Sequence, residues 1–166
     1  VDIATPTMQI KDKTTDFSGL SIVNTGALND AESATLFGPE MAAVWGPLYV
    51  FAEHTTTQVG RAAAPDLEFS GWHAAAAWSL TGESRASRYS MSSGEFKGLR
   101  PAKNFDWANG GIGAWEIAAR YAAIDLNDGN VMGGTEDALS IALNWYPNRS
   151  VRIMADWSRV LDTDES

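Results

Sequence analysis

The chain has 166 residues, 45% of them hydrophobic and 20% charged, which is the composition of one folding domain. Twelve Lys and Arg against 21 Asp and Glu leave a net charge of −9, which argues against nucleic acid as a partner. The absence of cysteine removes disulfide scaffolds and thiolate zinc sites, and no apolar run is long enough for a membrane-crossing helix, which leaves crossing by strands open.

In chain order, Thr7 to Lys13 is a weak extended stretch, and Asn24 to Gly38 reads as a loop. Strands are expected at Glu40 to Trp45 and Leu48 to Gln58, joined by a tight turn at Gly46-Pro47. Val59 to Glu68 reads as a second loop, followed by a strand from Phe69 to Leu80 that places Trp72, Ala74, Ala76, Trp78 and Leu80 on one face. The Ala74 to Ala77 run has high helical propensity, yet the period around it is two. From Ala114 to Leu126, Trp115, Ile117, Ala119, Tyr121 and Ala123 alternate with Glu116, Ala118, Arg120 and Ala122. Asn127 to Asp137 reads as a third loop. Leu139 to Tyr146 and Val151 to Val160 are two further alternating strands about a turn at Pro147 to Ser150.

One face of these strands is built from Trp, Tyr and Ala instead of the Val, Leu and Phe of a soluble sandwich core. Trp72 and Trp78, like Trp115 and Tyr121, stand six residues apart, roughly 20 Å along a strand. Aromatics so spaced suit the two interfacial belts of a transmembrane barrel, and Trp145 and Trp157 join them. The opposite face carries Glu40, Glu53, Glu116, Arg120, Arg152 and Asp156 in mid-strand, which suits a water-filled lumen. The expected fold is all-β: an antiparallel transmembrane barrel of the outer-membrane type, present as an incomplete set of about seven or eight strands. The alternative is a soluble β-sandwich or barrel that binds carbohydrate or another ligand, its exposed tryptophans stacking on sugar rings.

The wording of the sequence adds to its period. FSGWHAAAAWSLTGESR (69–85), GGIGAWEIAARYAAIDLNDG (110–129) and ALSIALNWYPNRSVRIMADWSRV (138–160) resemble the C-terminal half of the phosphate-selective porin family, porins O and P. VNTGALN (23–29) and VWGPLYVFAE (44–53) extend the likeness upstream. The resemblance implies a bacterial outer-membrane barrel of the sixteen-strand class, trimeric when full length, that passes phosphate or similar anions by diffusion. It also implies membrane lipid as a partner, no cofactor and no catalysis. Residues 1–166 then read as one partial barrel domain, a piece lacking the closing strand that ends in an aromatic residue.

Counting strands puts Thr81 to Gly113 on the same side as the Gly46-Pro47 and Pro147-Asn148 turns, the periplasmic side. A connection of 33 residues there breaks the short-turn rule. It carries Arg85, Arg88, Lys97, Arg100 and Lys103 against Glu83, Glu95 and Asp106, a net +2 where the other residues sum to −11. The family's long periplasmic turn near this place folds into the lumen, so these five residues are expected to face a passing oxyanion. Arg120 and Arg152 extend the basic path, with Glu116 and Asp156 on the same faces inviting ion pairs. His54 and His73 lack metal-ligand spacing, no G-x-S-x-G motif is present, and Asn127-Asp128-Gly129 reads as a turn, so neither a metal site nor a catalytic centre is expected.

Overall fold

The computed structural model describes residues 7–11 and 23–164. Its main element is one antiparallel sheet of strands β1 (Ala31–Phe37), β2 (Glu40–Trp45), β3 (Leu48–Arg61), β4 (Leu67–Ser79), β7 (Ala114–Asp128), β8 (Val131–Asn148) and β9 (Val151–Asp164). Two short strands, β5 (Tyr89–Ser90) and β6 (Glu95–Phe96), pair with each other in the long connection. Strand order follows the chain, β1 and β9 lying at the two ends of the path.

β1 and β2 pair with successive halves of β3, Phe37 opposite Thr56 and Glu40 opposite Glu53. They are thus one ribbon interrupted at Gly38-Pro39. The ladder carries across the break, because the His54 amide donates to the Pro39 carbonyl at 3.0 Å. The seven strands are therefore six ribbons, an even number.

Three expected loops are corrected. Asn24 to Gly38 contains β1; the β3–β4 loop shrinks to 62–66; and the β7–β8 connection is a two-residue hairpin at Gly129-Asn130. Gly129 has φ 55°, as such a turn requires. These strand ends are rich in Thr, Gln, Asp and Gly, so their apolar alternation fades although their ladders continue. The Thr7–Lys13 stretch forms only isolated bridges, Met8 with Leu28 and Lys11 with Asn24, and its residues 12 and 13 lie outside those described. Tertiary pairing overrides helical propensity at Ala74 to Ala77, each paired to β3 and β7.

The sheet has two unlike faces. One is covered: Val23, Leu28, Ala31, Val59, Leu67, Phe69, Leu126 and Val131 form a buried cluster where residues 7–11 and 23–31 fold over it. The other is bare. Trp72, Trp78, Ile141, Leu143, Ile153 and Trp157 are all exposed there with no second layer among the described residues, which overturns the sandwich alternative. Along the bare face no Asp, Glu, Lys or Arg stands between Leu48 and Gln58 on β3, Trp78 and Ser70 on β4, Trp115 and Ala123 on β7, Trp145 and Leu139 on β8, or Val151 and Trp157 on β9. Glu68, Asp125, Asp137 and Arg159 come next on their strands, so the band ends abruptly.

Candidate channel constriction

The turns at Gly46-Pro47 and Arg149-Ser150 and the connection from β4 to β7 share one end of the sheet, as the strand count requires. That connection divides into two limbs. Residues 83–101 lie against the covered face; residues 104–112 lie at the edge of the bare face.

The first limb is fixed by a charged lock. Glu116, only 2% exposed, accepts a fork of hydrogen bonds from Arg85, Nη2 at 2.6 and 2.7 Å and Nε at 3.1 Å. A carboxylate so buried requires its charge and lone pairs to be matched. Asn144 Nδ2 at 3.1 Å and the Tyr146 hydroxyl at 3.4 Å donate to the same carboxylate. The Arg85 guanidinium also lies 5.1 Å from the centre of the Tyr49 ring, and Tyr49 meets Phe96 edge-on at 5.6 Å. Leu99 is buried with Ala114 and Tyr146, and Gly98 passes so close to the Tyr146 ring that a Cβ there would stand 3.1 Å from it.

Glu83 pins the start of this limb. It accepts from the Ser79 hydroxyl at 2.9 Å, from the Thr81 hydroxyl and from the Ala102 amide at 3.2 Å. Burial pushes its carboxyl up, but these bonds outweigh burial and leave its pKa below the ordinary value. Lys97 pairs with Glu95, whose carboxyl is lowered by that hydrogen bond and by the lysine's charge.

Beyond the lock, the covered face opens into a cleft of about 270 Å³ lined in part by Glu53, Thr55, His73, Arg120 and Ala138. His73 stands directly opposite Glu53 and its ring lies 5.2 Å from Phe51. Ile10, packed against the apolar cluster, lines the cleft as well. The cleft mixes polar and apolar side chains, the Thr55 hydroxyl donating to the Glu53 carboxylate at 3.3 Å, and no metal-holding cluster exists among the described residues.

Comparison with known proteins gives the same assignment. The family model described as phosphate-selective porin O and P matches residues 11–166. The chain belongs to that family. It is 31% identical over 150 residues to Porin O of Pseudomonas aeruginosa, covering 84% of this chain and 32% of that protein. It is 33% identical over 130 residues to an uncharacterized protein of Caulobacter vibrioides, covering 78% of this chain and 25% of that one. The chain therefore spans about a third or less of the relatives it matches. Membership places this porin chain in the bacterial outer membrane, and its antiparallel strands are those of a barrel wall.

Of the basic residues marked in the sequence, Arg85 is 13% exposed and consumed by the lock with Glu116. Arg88 donates to the Gly98 carbonyl at 3.3 Å within the same limb. Arg100 is exposed at its far end and Lys103 on the crossing between the two limbs, both without ion pairs among the described residues. Arg120 and Arg152 lie on the covered face. Their expected pairing with Glu116 and Asp156 is corrected: Glu116 is taken by Arg85, across 31 positions of sequence, and Asp156 forms no ion pair among the described residues.

The aromatics Trp72, Trp78, Trp115, Tyr121, Trp145 and Trp157 share the bare face. Trp72 packs on Tyr121 at 5.4 Å toward one end of the band, and Trp115 stacks on Trp145 at 5.4 Å toward the other. Sequence reasoning missed Tyr49, Asn144 and Tyr146 as parts of the lock. Their even or odd positions placed them on the charged side of their strands, which was the available signal.

Proposed function

We propose that this chain forms the C-terminal part of the wall of a water-filled outer-membrane channel through which small anions such as phosphate diffuse, with no enzymatic step. The covered face is then the lumen and the bare, uncharged face meets lipid. Further strands pair with β1–β2 and β9 in the complete protein, since an open ladder edge in hydrocarbon leaves several kcal/mol of backbone polarity unmatched per group. The complete barrel assembles as a homotrimer, as the family resemblance implies.

The observation that carries this reading is the docking of residues 83–101 onto the polar face through the buried Arg85–Glu116 pair. A soluble sheet has no need of a strap held over its charged side. Here the strap narrows the channel from the periplasmic end, and the lock neutralises Arg85, leaving Arg88, Arg100, Arg120 and Arg152 as the cations that set the field along the path.

The test is the anion-to-cation permeability ratio of the complete porin in planar bilayers. Replacing Arg100, Arg120 and Arg152 together by Ala is expected to lower the ratio toward unity, and an unchanged ratio overturns the assignment.

A further inference from the structure

We propose that the second limb of the connection, the 104–112 turn, is a membrane anchor that seats in the headgroup layer of the periplasmic leaflet and binds phospholipid there. The inference rests on the bare face being the lipid face.

The turn is rigidly built. Asp106 and Gly111 exchange both backbone hydrogen bonds at 2.9 Å, and the Asp106 carboxylate accepts the Ala108 and Asn109 amides at 3.0 and 3.2 Å and the Asn109 side chain at 2.7 Å. Those bonds hold its carboxyl below the ordinary range, the Asn109 side chain contributing most. The Gly111 site admits no side chain, since a Cβ would stand 2.1 Å from the Asn104 carbonyl. Such a frame fixes what it displays, and what it displays is apolar. Trp107 is 90% exposed, with Phe105 and Ile112 also exposed.

Its position continues the bare band. The Trp115 and Trp145 indoles, stacked at the band's periplasmic end, both donate to the Ile112 carbonyl, at 3.2 and 2.9 Å. Phe105 lies edge-on to Trp145 at 5.2 Å. Trp and Tyr favour the boundary where one end of the ring is apolar and the other wet. Charge fits as well. The Phe105 amide bonds the Pro147 carbonyl at 2.7 Å, which brings Lys103 and Arg149, each two residues from that bond, to the same corner. Both are exposed and neither forms an ion pair among the described residues, so the corner offers two cations to lipid phosphates beside an aromatic knob.

The chain has no cysteine, so nitroxide labels can be placed singly once any cysteine elsewhere in the complete porin is replaced. Three variants, Trp107→Cys, Ala76→Cys in the middle of the bare band and Ser93→Cys at the tip of the first limb, are refolded into phosphatidylethanolamine–phosphatidylglycerol vesicles. Collisions with oxygen, which concentrates in lipid, and with a water-soluble nickel chelate are then compared. The expected result is a lipid-rich ratio at 76, a water-rich ratio at 93 and at 107 a ratio several-fold closer to that at 76. A water-rich ratio at 107 with a lipid-rich ratio at 76 overturns the anchor and leaves the channel reading intact. Shielding of 107 from both reagents means a protein neighbour, a second copy included, and also overturns it. Water-rich ratios at both 76 and 107 overturn the lipid-facing band itself.

Discussion

The covered face of this porin sheet holds two pieces of inserted chain, and they are held by opposite means. At one end residues 7–11 and 23–31 pack through Val23, Leu28, Val59, Phe69 and Leu126, an apolar cluster of the kind found in any soluble core. At the other end residues 83–101 are held by a forked ion pair, one arginine over a tyrosine ring and a tyrosine hydroxyl. Apolar burial is indifferent to protonation. A charged lock is not, because it is weakened when either partner loses its charge. The comparison teaches that one end of the covered face is held by apolar burial and the other by charge that is neutralised internally.

The largest effect is expected from breaking the charged side. Glu116→Gln leaves Arg85 without its counter-charge and is expected to cost about 3–5 kcal/mol of docking free energy. Tryptic cleavage within 83–101, followed by mass spectrometry on the refolded porin, should accelerate by about two to four orders of magnitude if cleavage tracks the open population. Leu126→Ala on the apolar side should cost about 3 kcal/mol in unfolding free energy. It should leave cleavage within 83–101 unchanged, which keeps the two devices separate. Gly113→Ala is expected to cost about 1–3 kcal/mol, because the residue has φ 72° and a Cβ would lie 2.5 Å from the Tyr146 carbonyl. Near-ultraviolet circular dichroism of the Trp115–Trp145 stack reports it.

The smallest effect is that of acid. Glu83 has a depressed carboxyl pKa, so its contribution is complete above the ordinary carboxylate value and fades as pH falls through the lower, folded one. Cleavage near Ala102 should therefore rise only at pH below the ordinary carboxylate range, and Glu83→Gln should remove that pH dependence.

Much of the sheet was legible in the sequence because the bare face must be uncharged over a fixed height, which forces strict alternation from Trp72 to Trp78 and from Trp115 to Ala123. Beyond that height the constraint lapses. Val59 to Arg61 and Val131 to Asp137 continue their ladders without an apolar alternation, and so read as loops. The side on which the long connection lies followed from parity alone. Its partners did not: the Arg85–Glu116 pair links positions 31 apart, and nothing local marks Glu116 as buried. The division of residues 81–113 into an inner and an outer limb was equally hidden, since each limb carries two aromatics among Gly and polar residues, and no periodicity tells which face either will meet.

Tyr146 and Trp145 are neighbours in β8, so their side chains leave the sheet on opposite sides, yet the same connection grips both: Gly98 and Leu99 lie against the tyrosine and Phe105 against the tryptophan. The peptide between Leu99 and Phe105 has five residues in which to cross from one face to the other. It is consequently a saddle, tethered left and right, and a deletion within 100–104 must either drag the strap out of the aperture or peel the indole from its seat. Added residues there would loosen both at once, so of all the places in the connection this short crossing should tolerate a change of length least.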